Sequence, residues 1–190
     1  MANQPRVLAW QRGKEQPVMR SVAPERLESL RCTGDGSFIL GGGQSGRLYA
    51  WEAGTGLLLA AFEAHYNAIS CIATTDDDSY VITAGGDAII HVWLLADILR
   101  SGTIAPKPRQ TWCDHATAAT RGPPHCCAPC RSDHTLPVTA LLCGAGGVNG
   151  RVFSASRDNS CKVVAAPRFP TLRHTLLDGC LCENILPRYA

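Results

Sequence analysis

The sequence has no long hydrophobic run and no block of like charge. The longest purely apolar stretch is Leu57–Phe62, six of the 190 residues, whereas a helix needs about 20 to cross a bilayer. No four consecutive residues are Lys or Arg, and 18 basic against 16 acidic side chains give a formal net charge of +2. The sequence therefore predicts no membrane-spanning helix and disfavours nucleic-acid binding through a basic stripe.

The N-terminal stretch Met1–Gln16 mixes Gln, Arg, Lys and Glu and contains no apolar core like that of a secretory signal. Without such a signal, the 10 cysteines are expected to be reduced thiols rather than a disulfide framework. The apolar fraction of 45% is ordinary for a globular protein. The chain length suits one domain.

One long segment recurs along the chain. LESLRCTGDGSFILGGGQSGRLYAW, at 27–51, aligns without a gap on ISCIATTDDDSYVITAGGDAIIHVW, at 69–93. A third copy begins at Val138 with two extra residues in its first turn, and VLAW at 7–10 repeats the end of the segment. A period of about 40–45 residues, with alternating apolar positions and a closing Trp, is typical of a β-propeller blade.

The repeat predicts an all-β chain, a partial β-propeller of about three blades plus a partial one in an incomplete ring. Propellers usually close with about 4–8 blades. The two uncovered blade faces of an incomplete ring are expected to make the isolated chain self-associate. The predicted divisions are the end of a partial blade (1–22), a blade (23–62), a blade core (63–93), a linker with a disordered insertion (94–132), a blade (133–177) and an irregular tail (178–190).

Four polar or aromatic residues of the second copy stand at fixed places in the repeat: His65 before the first strand, Thr83 on the second, Asp87 in the next turn and Trp93 at the end of the third. They resemble the residues that form a buried hydrogen-bond chain in the WD-repeat family. The resemblance implies that they hold the turns of a blade together, since buried polar groups need partners.

The other two copies keep this pattern only in part. The third copy has His134, Ser154 and Asp158 in register but Val164 at the Trp position. The first has Trp51, whereas Ser45 replaces the Asp and no His precedes it. Although His, Asp and Thr or Ser could suggest a nucleophilic triad, a catalytic site would not be copied in successive repeats. No catalytic, cofactor-binding or metal-binding residue is predicted, and no cofactor.

The stretch between the second and third copies, at 94–137, is much longer than the one between the first two, at 52–68. Its part at 116–132, ATAATRGPPHCCAPCRS, has no periodicity and is predicted to be a disordered loop. Trp112 is expected in the linker, so that Trp112→Ala would destabilise the protein less than Trp93→Ala. One Cys-x-x-Cys spacing in Cys113–Cys130 leaves open a zinc or thiol enzyme, which we consider the weaker alternative because a zinc site needs four ligands.

A closer resemblance rests on residues that follow one another between Trp51 and the third copy. They are WEAGTGLLL, AHYNAISCI, VITAGGDAIIHVW, LLADIL, PKPRQTWCDH, HTLPVTALLCGAGG and SASRDNSCKV. They resemble the WD-repeat subunit of the nuclear complex that processes internal-spacer pre-rRNA and matures the large ribosomal subunit. The resemblance covers roughly residues 6–163, and the chain departs from the family at 116–132 and from Val164 onward.

This resemblance implies a non-catalytic scaffold or adaptor that works in the nucleus, in the nucleolus or the nucleoplasm. The implied partners are a helical-repeat scaffold subunit, another accessory subunit and pre-ribosomal particles. No direct nucleic-acid motif, membrane contact or small-molecule substrate is predicted. A generic WD-repeat interaction adaptor, such as a substrate receptor of a ubiquitin ligase, remains the alternative of the same class.

Overall fold

The computed structural model describes residues 5–10, 12–100, 106–112 and 134–165. Two predicted features lie outside these ranges: the insertion at 116–132, with its cysteines, and the tail from 178 onward. The end of the predicted blade at 133–177, from 166 onward, also lies outside the described residues.

Antiparallel strands dominate the described chain, with one short helix. The helix α1 spans Leu95–Arg100. The thirteen strands are β1 (Arg6–Ala9), β2 (Met19–Val22), β3 (Leu27–Cys32), β4 (Phe38–Gly43), β5 (Arg47–Glu52), β6 (Leu58–Glu63), β7 (Ile69–Thr74), β8 (Tyr80–Gly85), β9 (Ile90–Leu94), β10 (Gln110–Trp112), β11 (Val138–Cys143), β12 (Arg151–Ser156) and β13 (Cys161–Ala165).

These strands form four sheets of sequential neighbours, which we number as blades. Blade 1 is β1-β2, blade 2 is β3-β4-β5-β6, blade 3 is β7-β8-β9-β10 and blade 4 is β11-β12-β13. The register repeats between blades, since Leu40 pairs with Ala50 in blade 2 as Ile82 pairs with Val92 in blade 3. The first strand of each of blades 2, 3 and 4 also begins with a register shift.

The turns explain where the strands end. In blades 2 and 3 a Thr-x-Asp-x-Ser sequence joins the first two strands, and the Thr hydroxyl bonds the Asp carboxylate at 2.6 Å in both. Such local side-chain bonds favour a turn over strand continuation. Blade 4 instead has the longer turn 144–150 with a 3₁₀ turn at Gly147–Asn149, where the sequence carries its two extra residues.

Three apolar layers lie between successive blades, and each is built from both neighbours. Val7 and Met19 of blade 1 pack with Trp51 of blade 2, whereas Leu40 and Trp93 belong to the layer between blades 2 and 3. The layer between blades 3 and 4 contains Tyr80, Ile82, Ala84, Ile90, Val92, Trp112, Val138 and Val152. Each inner blade is thus buried on both faces.

Serine hydroxyls join the innermost strands of adjacent blades. Ser29 on β3 donates to the carbonyl of Ile69, the first residue of β7, at 2.8 Å. Ser70 on β7 donates in the same way to the carbonyl of Val138, the first residue of β11. These bonds fix the position of each blade relative to the next along their first strands.

Trp112 lies in a strand rather than in a linker, and the expectation of a mild Trp112→Ala effect loses its basis. It is the last residue of β10, the outer strand of blade 3, and its side chain is 0% exposed. The sequence interpretation missed β10 because the strand is very short and lies beyond a helix. That helix, α1, buries Leu95 and Ile98 in the layer between blades 2 and 3.

No helix in the described part of the chain is both long and apolar enough to cross a membrane.

Candidate functional site: a buried polar network and the turns it holds

The structure brings together the four residues singled out in the second copy. His65 lies with Nε2 2.8 Å from the Thr83 hydroxyl and Nδ1 3.1 Å from both carboxylate oxygens of Asp87. The Trp93 indole N–H donates to the same Thr83 hydroxyl at 2.9 Å. His65, Thr83 and Trp93 are all buried. One hydrogen-bonded chain therefore runs from the turn after β8 to the indole on β9.

A single arrangement of protons satisfies every member of this chain. Trp93 can only donate, so Thr83 accepts from it and gives its own proton to Nε2 of His65. His65 then carries its hydrogen on Nδ1 and donates it to Asp87. Because no buried donor or acceptor is left over, the network adds stability instead of an unpaired-group penalty.

Asp87 also caps the backbone around it. Its carboxylate accepts the amide hydrogens of Tyr66 and Ile89, both at 3.1 Å. Burial alone would raise the pKa of Asp87, but the hydrogen bonds from His65 and from the two backbone amides lower it overall. Gly85 makes room for this packing, since a Cβ there would lie 2.8 Å from the Asp87 carboxylate.

The sequence interpretation missed His91, which lies beside this network. Its ring centroid is 4.7 Å from that of His65 and 5.4 Å from that of Trp93. Nδ1 of His91 lies 2.8 Å from the Thr111 hydroxyl on β10. Burial lowers the pKa of His91 to about 3. The signal was present in the sequence: His91 stands two residues before Trp93 and therefore on the same strand face.

Blade 4 repeats the arrangement with a serine. Nε2 of His134 lies 2.7 Å from the Ser154 hydroxyl, and Nδ1 lies 3.0 Å from the Asp158 carboxylate. Asp158 also accepts the amide of Thr135, which matches Tyr66 in the repeat, at 3.1 Å. Burial alone would raise the pKa of Asp158, but hydrogen bonds from Ser160, His134 and the Thr135 amide lower it.

Blade 2 has none of these polar residues at the matching positions. Ala23, Gly41 and Ser45 stand where blade 3 has His65, Thr83 and Asp87. The indole N–H of Trp51 is buried and has no hydrogen-bond partner among the described residues. Gly41 leaves no room for a hydroxyl, because a Cβ there would lie 2.7 Å from Cζ3 of Trp51.

In blade 2 a carboxylate from outside the sheet holds the turn between β4 and β5 instead. Glu25 accepts the amide of Ser45 at 2.9 Å, the Ser45 hydroxyl at 2.5 Å and the Tyr49 hydroxyl at 2.8 Å. Burial, and then the bond and charge of Glu25, raise the pKa of Tyr49 to about 12. Sequence reasoning missed Glu25 because it stands two residues after the His position and is absent from the repeat pattern.

The turns at the other end of the blades are joined by Asp78. Its carboxylate accepts the amides of Gly34 at 2.9 Å and Asp35 at 3.2 Å, both in blade 2. Asp78 has a φ of 52°, in the left-handed region, and Gly36 occupies the matching position with a φ of 73°. Asp tolerates this conformation better than most side chains, and here it gains two bonds to the neighbouring blade.

Exposed apolar side chains lie on the outer faces of blades 1 and 4, the first and last blades that the structure describes. Trp10 is 59% exposed, whereas the matching Trp51 and Trp93 are 0% and 3% exposed. At the other end Phe153 is 38% exposed, whereas the matching Ile82 is 1% exposed. The predicted self-association of the isolated chain stays a prediction, but these faces are the ones on which it depends.

The described residues contain no group of three or more His, Cys, Asp or Glu side chains that could hold a metal ion. Each network histidine is already hydrogen-bonded through both ring nitrogens. What this arrangement does is stabilise the turns between the strands of each blade.

Comparison with known proteins gives both a family and a fold. The model of the family "WD domain, G-beta repeat" matches residues 56–93. The solved "RRP9 WD40 repeats" superpose with a TM-score of 0.57 at 18% identity, over 74% of this chain and 36% of that one. The predicted all-β partial β-propeller is thereby confirmed.

Two curated relatives match most of the chain. WD repeat-containing protein 18 of Bos taurus is 32% identical over 83% of this chain, which covers 32% of that protein. Pre-rRNA-processing protein IPI3 of Mycosarcoma maydis is also 32% identical over 83% of this chain, which covers 25% of it. The chain thus spans between a quarter and a third of the length of these two relatives. The resemblance stated from the sequence is confirmed.

Proposed function

Because this chain is a WD-repeat protein whose described part forms consecutive blades of a β-propeller, we propose that it is a non-catalytic scaffold in pre-rRNA processing and large ribosomal subunit biogenesis. The observation that carries the proposal is the relative named Pre-rRNA-processing protein IPI3, which matches 83% of the chain. A second relative of that name, from Yarrowia lipolytica, is 29% identical over 95% of the chain.

The geometry supports a binding role. In blades 3 and 4 the His, Asp and Ser or Thr side chains bond one another and the backbone, so they are occupied in holding turns. The residues next to them are free to contact a partner, since Tyr66 is 75% and Leu136 48% exposed. A blade whose turns are held by buried hydrogen bonds and whose neighbouring loop residues are exposed suits recognition better than chemistry.

The partners and the site of action follow from the same resemblance. The chain binds the protein subunits of a ribosome-maturation complex, among them a helical-repeat scaffold and an accessory subunit, and reaches pre-ribosomal particles through them. It acts in the nucleus. No cofactor takes part.

Affinity capture of the tagged chain from a nuclear extract tests this function. We expect large-subunit maturation factors to co-purify, and depletion of the protein to let unprocessed internal-spacer pre-rRNA accumulate. Tyr66→Ser combined with Leu136→Ser should weaken capture while leaving the fold intact, because both side chains are exposed.

The alternative within the same class is an adaptor of a ubiquitin ligase. Recovery of ligase subunits without any maturation factor, together with normal spacer processing after depletion, would contradict the proposal. Stoichiometric zinc in the purified chain would instead support the enzyme alternative at Cys113–Cys130.

A further inference from the structure

Glu25 stands at the start of a series of contacts that crosses from blade 2 into blade 3, in which the backbone of Ser45 and Gly46 connects two sets of hydrogen bonds. Its carboxylate holds the turn between β4 and β5 through the amide and hydroxyl of Ser45. In that turn the carbonyl of Gly46 accepts the amides of Ala64 at 3.1 Å and His65 at 3.0 Å. His65 is the central residue of the blade 3 network.

The packing around this turn is tight at both ends. A Cβ on Gly43 would overlap the Glu25 carboxylate, and a Cβ on Gly46 would overlap the His65 carbonyl. Gly46 has a φ of 88°, a conformation that glycine adopts without strain. The turn therefore has little freedom to shift toward Glu25 or toward His65 while both contacts are made.

We propose that Glu25 is an acid-releasable latch, which positions His65 and the start of blade 3 through the Gly43–Gly46 turn of blade 2. In its ionised form the carboxylate only accepts hydrogen bonds and can take all three from Ser45 and Tyr49. Protonation converts one acceptor oxygen into a hydroxyl donor that faces other donors. The turn then loses its anchor, and the segment 64–65 loses the fixed carbonyl to which it binds.

The charges around the latch favour the closed form at neutral pH. Burial alone would raise the pKa of Glu25, but hydrogen bonds from Ser45 and Tyr49 and the charge of Arg47 lower it below 4.5. The groups that face the carboxylate are these three residues, while the neighbouring Arg26 is engaged with Glu28 at 3.3 Å. A lowered pKa means that the latch stabilises the fold above pH 4.5 and releases as the pH falls through the folded value.

Amide hydrogen exchange of the full chain, with Glu25→Gln as the test variant, examines the latch at neutral pH. We expect faster exchange by about tenfold at Ser45, Ala64 and His65, the change that losing roughly one hydrogen bond produces. The wild-type amides should approach the variant's rates, corrected for intrinsic pH effects, as the pH falls below 4.5.

Two controls make the result decisive. Glu28→Gln removes a carboxylate whose partner is the largely exposed Arg26 and should change none of the three amides. The Thr135 amide, bonded to Asp158 in blade 4, should exchange equally in all variants. Unchanged exchange at all three amides of Glu25→Gln would overturn the latch. Faster exchange at Ser45 alone would overturn the link to His65.

Discussion

Blades 2 and 3 have the same strand order and register but solve the problem of buried polar groups in different ways. Blade 3 places a four-membered network between its sheet and the preceding loop, and Trp93 finds a partner in Thr83. Blade 2 places Gly41 at the matching position, and Trp51 is packed without a partner for its N–H among the described residues. The apolar pattern is thus sufficient to form a blade, whereas the polar network is a separate addition that stabilises one end of it.

The largest expected effect tests whether packing dominates in both blades. Trp93→Ala and Trp51→Ala should each lower the free energy of unfolding by about 3–5 kcal/mol, since each truncates a buried indole. Trp112→Ala should cost the same, because its side chain is 0% exposed. Urea unfolding followed by circular dichroism measures all three, with Leu57→Ala, 61% exposed, as the control. A mild Trp112→Ala variant would contradict the assignment of β10.

An attempt to give blade 2 the hydroxyl of blade 3 should fail. Gly41→Thr would place a Cβ 2.7 Å from the Trp51 ring and should destabilise by about 1–3 kcal/mol through overpacking. Gly54→Ala, with no atom within 4 Å of the new Cβ, should be tolerated. If Gly41→Thr raised the urea midpoint, the two blades would be more alike than their packing indicates.

A smaller effect distinguishes the contribution of the indole N–H to stability from the contribution of the ring. Trp93→Phe leaves Thr83 without its donor, whereas Trp51→Phe removes an N–H that has no partner in the described structure. Trp93→Phe should therefore cost about 1 kcal/mol more than Trp51→Phe. Equal losses in parallel urea titrations would mean that the network adds nothing beyond packing.

The smallest expected effect is the loss of stability at low pH. It is expected for both blades, but a different carboxylate causes it in each. The pKa values of Asp87 in blade 3 and of Glu25 beside blade 2 are both lowered by hydrogen bonds that outweigh burial. A lowered folded pKa gives stability that is present at neutral pH and lost as the pH falls below the ordinary values of 3.8 and 4.5.

Unfolding free energies measured between pH 7 and about 3 should decline toward acid in the wild type. The decline should be shallower in Asp87→Asn and in Glu25→Gln, and shallowest in the double variant. A double variant with the wild-type slope would place the acid dependence elsewhere, with Asp158 as the next candidate.

The strands of the repeats were predictable from sequence because their apolar alternation and turn residues recur with the period of a propeller blade. The partners of His65 and His134 were also predictable, since each member sits at a fixed place in the repeat. Glu25 and Asp78 were not, because their bonds reach far along the chain, from Glu25 to Ser45 and from Asp78 back to Gly34. Such contacts depend on how loops and blades pack, which a single repeat does not encode. Trp112 was wrongly predicted to lie in the linker because β10 follows a helix that the other described blades lack.

The Asp78 clamp has a consequence for the order in which a nascent chain acquires its structure. All four strands of blade 2 are complete at Glu63, yet the amides of Gly34 and Asp35 gain their acceptor only when Asp78 has been synthesised. The Ser29 hydroxyl likewise gains its acceptor, the carbonyl of Ile69, only after blade 2 has been synthesised. Blade 2 is therefore completed only by blade 3, and during translation its first turn stays uncapped until Asp78 has been synthesised.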